Sequence, residues 1–229
     1  LLAREVVDAY KTHNPGKAGF VAGTMGPTSQ NVSLSGENDR RGSHISSFQK
    51  VYRAYYEQAL GLMRGGVDLL ILETIVDIST AEAGIKAIRD AGKIMGTSIP
   101  LILSRTITND MAHSSPEQEI EAFLNFASHA KPLSIGFNCA PGAKRIGPYL
   151  EKLSERSPHY TCVYPNAGLP DQCGKYNETP DSMGYFMNEY IKKGWVNIIG
   201  GCCGTNPGHI RAFTSLARHA RPRKISDTN

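Results

Sequence analysis

The chain reads as an α/β protein with a parallel sheet, a TIM (β/α)8 barrel whose first two β/α units are missing from the sequence. Three observations predict this. After an opening helix, apolar strand segments alternate with amphipathic helical segments six times, mostly about 30 to 35 residues apart, the rhythm of right-handed parallel crossovers. The first strand runs into a segment with no G-x-G-x-x-G phosphate turn, which a doubly wound sheet would normally carry. Polar residues gather at strand C-termini (Thr24, Glu73, Ser104, Asn138 with Cys139, Asn166, and Cys202 with Cys203), where a barrel collects its chemistry. Six units are two short of eight and the chain opens in a helix, so roughly two units of about 30 residues are expected upstream. With 229 residues and 40% hydrophobic content, one core is the expectation: residues 1–220 form the barrel domain and 221–229 a C-terminal linker.

Leu2, Val6, Val7 and Tyr10 are spaced for a helix over 1–13, which Asn14-Pro-Gly16 stops. Gly19-Phe-Val-Ala-Gly-Thr-Met25 is a buried strand, and residues 28–43, rich in Ser, Asn and Gly, form a long polar loop. An amphipathic helix over 48–64 ends at Gly65-Gly66. The continuous apolar strand Asp68-Leu-Leu-Ile-Leu-Glu73 then ends on a carboxylate. A helix over 77–91 precedes a strand over 100–104, and a helix over 116–129 starts behind Ser114 or Ser115 as cap. Strands over 133–138, 160–164 and 196–199 alternate with helices over 143–154, interrupted by Pro148, and over 181–193. Asn206 caps the final helix, with Pro207 at its first position, to about residue 219.

No apolar run approaches the ~20 residues of a membrane span, and the N-terminus lacks a signal-peptide pattern, so no membrane partner is expected. Five cysteines, an odd number in a chain too large to need disulfide staples, fit a reducing, cytoplasmic setting and metal or packing roles. The net charge of +4 is mild and the basic residues are dispersed apart from Arg221-Pro-Arg-Lys224, which gives no case for nucleic acid. That basic tail reads as solvated.

The adjacent pair Cys202-Cys203 follows a short strand and sits among Gly200, Gly201 and Gly204. Neighbouring side chains on a regular strand point to opposite faces, so both sulfurs reach one metal only if the backbone turns, which these glycines permit. Cys139 ends a similar strand. With Glu73, these cysteines would end the fourth, sixth and eighth strands of such a barrel, and alternate strands feed one layer, so their side chains can converge. Three thiolates suggest a zinc site with an open fourth position, the catalytic pattern; a vicinal disulfide is the rival. Cys162 and Cys173 read as small buried hydrophobes. Glu73 is either a salt-bridged rim residue or the binder of a substrate ammonium group. His44, His113 and His129 lack metal-ligand spacing, His209 reads as a surface or packing residue, and Asp110, Glu117 and Glu119 as solvated charges.

Gly200-Gly-Cys-Cys-Gly204 with the distant Asn138-Cys139 resembles the zinc motif of the homocysteine S-methyltransferases. Val21-Ala-Gly-Thr-Met-Gly-Pro-Thr28, Leu72-Glu-Thr-Ile75, Gly136-Phe-Asn-Cys-Ala140 and Tyr164-Pro-Asn-Ala-Gly-Leu-Pro170 narrow the likeness. Together they resemble the N-terminal homocysteine-binding modules of cobalamin-dependent methionine synthases, over essentially the whole chain. The resemblance implies that Cys139, Cys202 and Cys203 bind zinc, that Glu73 holds the homocysteine amino group, and that Asn138 and Asn166 shape the pocket. It further implies methyl transfer to homocysteine, with methylcobalamin on another module as donor and cobalamin- and folate-binding modules as partners. Stand-alone relatives use betaine or S-methylmethionine instead, and a non-catalytic zinc-binding fragment is the reading from a different class. Two features depart from the family: no Asp-Gly loop of a first strand is present, and Ser104-Arg-Thr-Ile-Thr-Asn-Asp-Met111 replaces a small-residue segment.

Overall fold

Strand order follows chain order. The computed structural model describes residues 1–29, 42–108, 115–139 and 142–225, with the side chains of 42–46 left aside. Its elements are α1 (Leu2–His13), β1 (Ala22–Met25), α2 (Gly42–Arg64), β2 (Leu69–Ile75), α3 (Ile78–Met95), β3 (Leu101–Arg105) and α4 (Pro116–Ala130). They continue with β4 (Ser134–Cys139), α5 (Ala143–Arg156), β5 (Tyr160–Pro165), α6 (Pro180–Lys192), β6 (Ile198–Ile199) and α7 (Pro207–Ala217). The hydrogen-bonded order is β1-β2-β3-β4-β5-β6. That is the order of a singly wound sheet, as in (β/α)8 barrels, and not of a doubly wound one. The pairings are parallel, with Ala22 opposite Leu69, Gly136 opposite Cys162, and Cys162 opposite Ile198. The chain divides into two compact units, Leu1–Ile102 and Leu103–Asn229.

In the first unit, apolar alternation builds β1 and β2, whose Met25, Leu70 and Leu72 are buried. Gly84 of α3 lets the helix approach β2: a Cβ there would meet the Leu72 side chain at 3.1 Å. Asp77 caps α3 by accepting from Thr80 N at 2.8 Å, and Gly96, at φ 65, ends it. Helix α2 starts at Gly42, six residues before the expected start, so the end of the presumed loop is helical; residues 30–41 of that loop lie outside the described residues. Helix α1 forms as expected, yet buries no residue, and its stripe of Leu2, Val6 and Tyr10 is exposed. It is held instead by Arg4, which donates to Gly66 O at 2.7 Å and to Asp68 at 2.6 Å, while Asp68 also accepts from Val21 N.

In the second unit, Phe123, Ile135, Phe137, Ile146, Leu150 and Met183 make a core between strands and helices. Ser115 is the cap of α4 in a full capping box with Gln118. Helix α5 runs through Pro148 rather than stopping there; Lys144, whose carbonyl loses its partner, is exposed to water. Two expected solvated features are corrected. Glu119 pairs with Arg105 at 2.8 Å, both side chains largely buried, which also gives the bulky Arg105 its place. Arg223 in the tail is 6% exposed and donates to the carbonyls of Ser154, Ser157 and His159, the last turn and exit of α5. Those carbonyls lack helical partners, and a guanidinium can satisfy several at once. Asp110 and His113 lie outside the described residues.

Candidate metal centre

Strand β4 is pressed against β5 at Gly136, where a Cβ would stand 1.8 Å from Cys162 O, so only glycine fits. Two residues later Asn138 is fully buried, with Oδ1 accepting from Ser104 Oγ at 2.7 Å and Nδ2 facing Cys139 Sγ at 3.5 Å. Cys139 leaves the strand with φ 54, a left-handed conformation that turns its side chain away from the pleat. From the other side, β6 is only two residues long, and the chain turns at Cys203 and Gly204, the glycine at φ 78. The turn is held by Cys202 N donating to Pro165 O at 2.9 Å and by Thr205, whose hydroxyl and amide both donate to Cys202 O. Asn166 fastens the second cysteine: its Oδ1 accepts from Cys203 N at 3.0 Å, while its own amide donates to Cys139 O at 3.2 Å. One asparagine thus ties both cysteine-bearing turns together.

Cys139 and Cys202 sulfurs lie 3.0 Å apart and those of Cys202 and Cys203 3.9 Å. All three ligand atoms lie within 4.8 Å of one another. Tetrahedral zinc with bonds of about 2.3 Å would space its sulfurs by about 3.8 Å, so the donor set suits a three-thiolate site with a fourth position open. The vicinal pair is too far apart for a disulfide, whose S–S bond is about 2.05 Å, and all cysteines are free. Cys139 and Cys202 are half-buried and Cys203 is exposed. The Cys202 thiol is held down to about 5, first by the hydrogen bond from Cys139 and then by its contacts with Cys203 and Asn138, against the opposing effect of burial. The cluster is therefore primed to carry negative charge, the form in which sulfur binds a metal.

Glu73 belongs to the first unit, half-buried near the end of β2 beside a small cavity lined by Pro27, Tyr55, Glu73, Thr74, Ile75 and Asp77. Thr74, the next residue, has φ 57. For a β-branched residue this is a strained conformation, costing about 1–3 kcal/mol.

The family model for homocysteine S-methyltransferase matches residues 1–217. The chain belongs to this family. Among solved structures, it is similar to the homocysteine methyltransferase MmuM from Escherichia coli in its apo form. Identity there is 22%, coverage 94% of this chain and 69% of MmuM, and the TM-score 0.63. The oxidized form of MmuM matches at 22% identity, covering 93% of this chain and 67% of that one, with a TM-score of 0.60. At this identity the likeness shows the α/β fold.

For a homocysteine S-methyltransferase the three cysteines and the two asparagines singled out in the sequence stand together in one cluster. Cys162 is a buried core thiol as expected, whereas Cys173 is exposed, on a tight turn where Asp171 accepts from the amides of Cys173 and Lys175. His209 is a packing residue: its Nδ1 accepts from Asn206 N, so Nε2 carries the proton and donates to Glu178 O at 3.0 Å. Tyr176 escaped the sequence reading. Burial first, and then the adjacent Cys203 sulfur, push its hydroxyl up. Gly204, at φ 78, was visible in the sequence, but nothing there indicates that its missing side chain is replaced by a tyrosine ring.

Proposed function

We propose that this chain is the homocysteine-binding part of a zinc-dependent methyltransferase that converts homocysteine to methionine. The observation that carries the reading is the three-sulfur cluster of Cys139, Cys202 and Cys203 in a chain of this family. A free thiol titrates near 8.5 and is mostly protonated at neutral pH. Cys139, Cys202 and Cys203 would hold the zinc, which would supply the Lewis acidity that favours the thiolate form of a substrate sulfur. The homocysteine sulfur then forms a bond to the donor's methyl carbon as that carbon's bond to the donor breaks, the donor keeping the electron pair. Asn138 and Asn166 set the placement of the ligands through the contacts described above. Glu73 is the proposed partner of the homocysteine ammonium group, by family resemblance and by its place beside a cavity in its own unit.

We read the chain as six units of an eight-unit barrel, with the segment after residue 220 docked through Arg223 on the end of α5. The motif Tyr164-Pro-Asn-Ala-Gly-Leu-Pro170 supports the methionine synthase type. In that type methylcobalamin on another module is the donor, folate- and cobalamin-binding modules are partners, and a reducing, cytoplasmic setting suits the free thiols. Among the described residues no helix is long and apolar enough to cross a membrane.

The test is the metal content of purified, reduced protein, followed by X-ray absorption with and without homocysteine. One zinc in a three-sulfur site that gains a fourth sulfur on adding homocysteine is expected. Folded protein without zinc, or zinc already closed by four protein ligands, would overturn the reading.

A further inference from the structure

The sulfurs of Cys139, Cys202 and Cys203 stay within 4.8 Å of one another only if the chain segments that carry them hold their register. Asn166 makes one connection between those segments, and a second connection closes on itself. Cys203 O accepts from Ala167 N at 2.9 Å, Ala167 O from Glu178 N at 3.1 Å, and Glu178 O from His209 Nε2 at 3.0 Å. His209 Nδ1 then accepts from Asn206 N at 3.2 Å, and Asn206 stands three residues after Cys203. The chain of bonds leaves the cysteine turn through a carbonyl and returns to it through the cap of α7. Glu178 is wedged where it stands: a Cβ at Gly142 would lie 3.2 Å from its Oε1, and one at Gly168 3.1 Å from its Cγ. Gly142 precedes α5, three residues after Cys139, so the loop of the third sulfur is seated against the same glutamate.

We propose that His209 is a positioning residue for the metal centre, the strut that holds the Cys202-Cys203 turn against the loop carrying Asn166; this rests on the zinc reading above. Cys203, Ala167, Glu178 and Asn206 enter the ring of bonds through backbone groups, which any residue supplies. His209 enters through its side chain, and a neutral imidazole is suited to the place because the ring holds one acceptor and one donor at a fixed separation. The two bonds do different work. The Nδ1 bond is half of the α7 capping box with Asn206, whereas the Nε2 bond reaches another element, 31 residues upstream. His209 is 2% exposed, so losing the Nε2 bond leaves Glu178 O without a partner in a buried place and frees the loop and the helix to part. Cys203 is bonded to that loop through its carbonyl and its amide, so its sulfur shifts with it. Outer partners of metal ligands act in this way, and losing one typically costs about 10- to 100-fold in metal affinity.

The experiment compares the parent protein with H209N and H209Q. Asparagine places an oxygen where Nδ1 stands and keeps the cap, but its amide ends short of Glu178 O. Glutamine reaches as far as Nε2 and offers both an acceptor and a donor. Competition with a chromogenic chelator gives the zinc Kd, and visible absorption of the Co(II)-substituted proteins reports the thiolate ligands. In H209N the Kd should rise about 10- to 100-fold and the cobalt bands should change, while H209Q should stay within about threefold of the parent. H209N with the parent's Kd and cobalt spectrum overturns the proposal and leaves the zinc reading intact, and so does H209Q as weak as H209N. Parent protein that takes up no zinc overturns both. A measurement on the unsubstituted protein does not depend on either variant folding: nitrogen-15 NMR of the imidazole in mildly alkaline buffer should place the proton on Nε2. A proton on Nδ1 would mean that the ring of bonds is open at His209, and would overturn the proposal.

Discussion

Cys162 and Cys202 are the same side chain in two surroundings. Cys162 sits in the middle of β5, without solvent exposure, and burial pushes its thiol up to about 12. Cys202 sits in a turn beside two other sulfurs and is held down to about 5, first by Cys139. Burial favours the neutral thiol in both; only neighbouring donors reverse it. What separates a core cysteine from a member of the sulfur cluster is therefore the backbone that carries it. Gly136 lets the strand of Cys139 press flat against Cys162, whereas the glycine-flanked turn after β6 brings two successive sulfurs, Cys202 half-buried and Cys203 exposed, beside Cys139.

The strongest way to break the Cys162 side of this comparison is Gly136→Ala. The added methyl would stand 1.8 Å from the Cys162 carbonyl, between two paired parallel strands that have no room to part. A loss above about 4 kcal/mol is expected, at the extreme of single substitutions. Denaturant unfolding or soluble yield would report it, and a soluble variant within about 1 kcal/mol of the parent would show that β4 and β5 are not packed this closely.

The next effect belongs to the other side. Cys202→Ser should lower zinc affinity by roughly two to three orders of magnitude. That is about one quarter of the ~10–16 kcal/mol typical of four-ligand zinc sites. Cys162→Ala should leave zinc affinity unchanged and cost stability only, about 1–2 kcal/mol for a small buried side chain. Chelator competition separates the two, and equal zinc loss in both variants would erase the distinction between structural and ligand cysteines. In zinc-free protein the same contrast has a pH signature. The Cys202 pKa is depressed in the folded state, so its contribution to stability is complete above the ordinary thiol pKa of 9.0 and is lost as pH falls through about 5. Alkylation at pH 7 should accordingly mark Cys202 while sparing Cys162, and below pH 5 the Cys202 rate should fall about tenfold per unit. A flat rate from pH 8 to pH 4 would mean that the cluster does not hold a thiolate.

Most of this contrast could be read from residue order, because glycines mark both the flat strand and the broken one. The strands, the helices and the sulfur cluster follow from apolar periodicity and from Gly-Gly-Cys-Cys-Gly at a strand end. What escaped were partners chosen in three dimensions. Glu117 and Glu119 look alike in sequence, yet only Glu119 meets Arg105, 14 residues upstream on another element. Arg223 looks like one of a run of solvated cations until the end of α5 turns out to offer it three carbonyls. Tyr176 lies in a polar loop with no periodic pattern, and its packing depends on a glycine 28 positions away.

Thr74 sharpens the comparison at the smallest scale, since it shares the left-handed φ of Cys139 without belonging to the sulfur cluster. Both stand at the ends of their strands at positive φ, Thr74 one residue before the end of β2 at 57 and Cys139 at the end of β4 at 54. At Cys139 the turn brings a sulfur to the cluster, so its strain has a visible return. Thr74 lies outside the sulfur cluster, and its turn follows directly on Glu73, with which it lines one cavity. Thr74→Gly removes a β-branched clash worth about 1–2 kcal/mol and adds about 0.5–1 kcal/mol of unfolded-state entropy. A net gain of about 0.5–1 kcal/mol is expected, with the melting temperature higher by a few degrees. Homocysteine should bind more weakly, because glycine no longer holds Glu73 in one direction, whereas zinc content should not change. A destabilised variant would show that the turn is relaxed, and a stabilised one with unchanged homocysteine binding would separate the strain from Glu73.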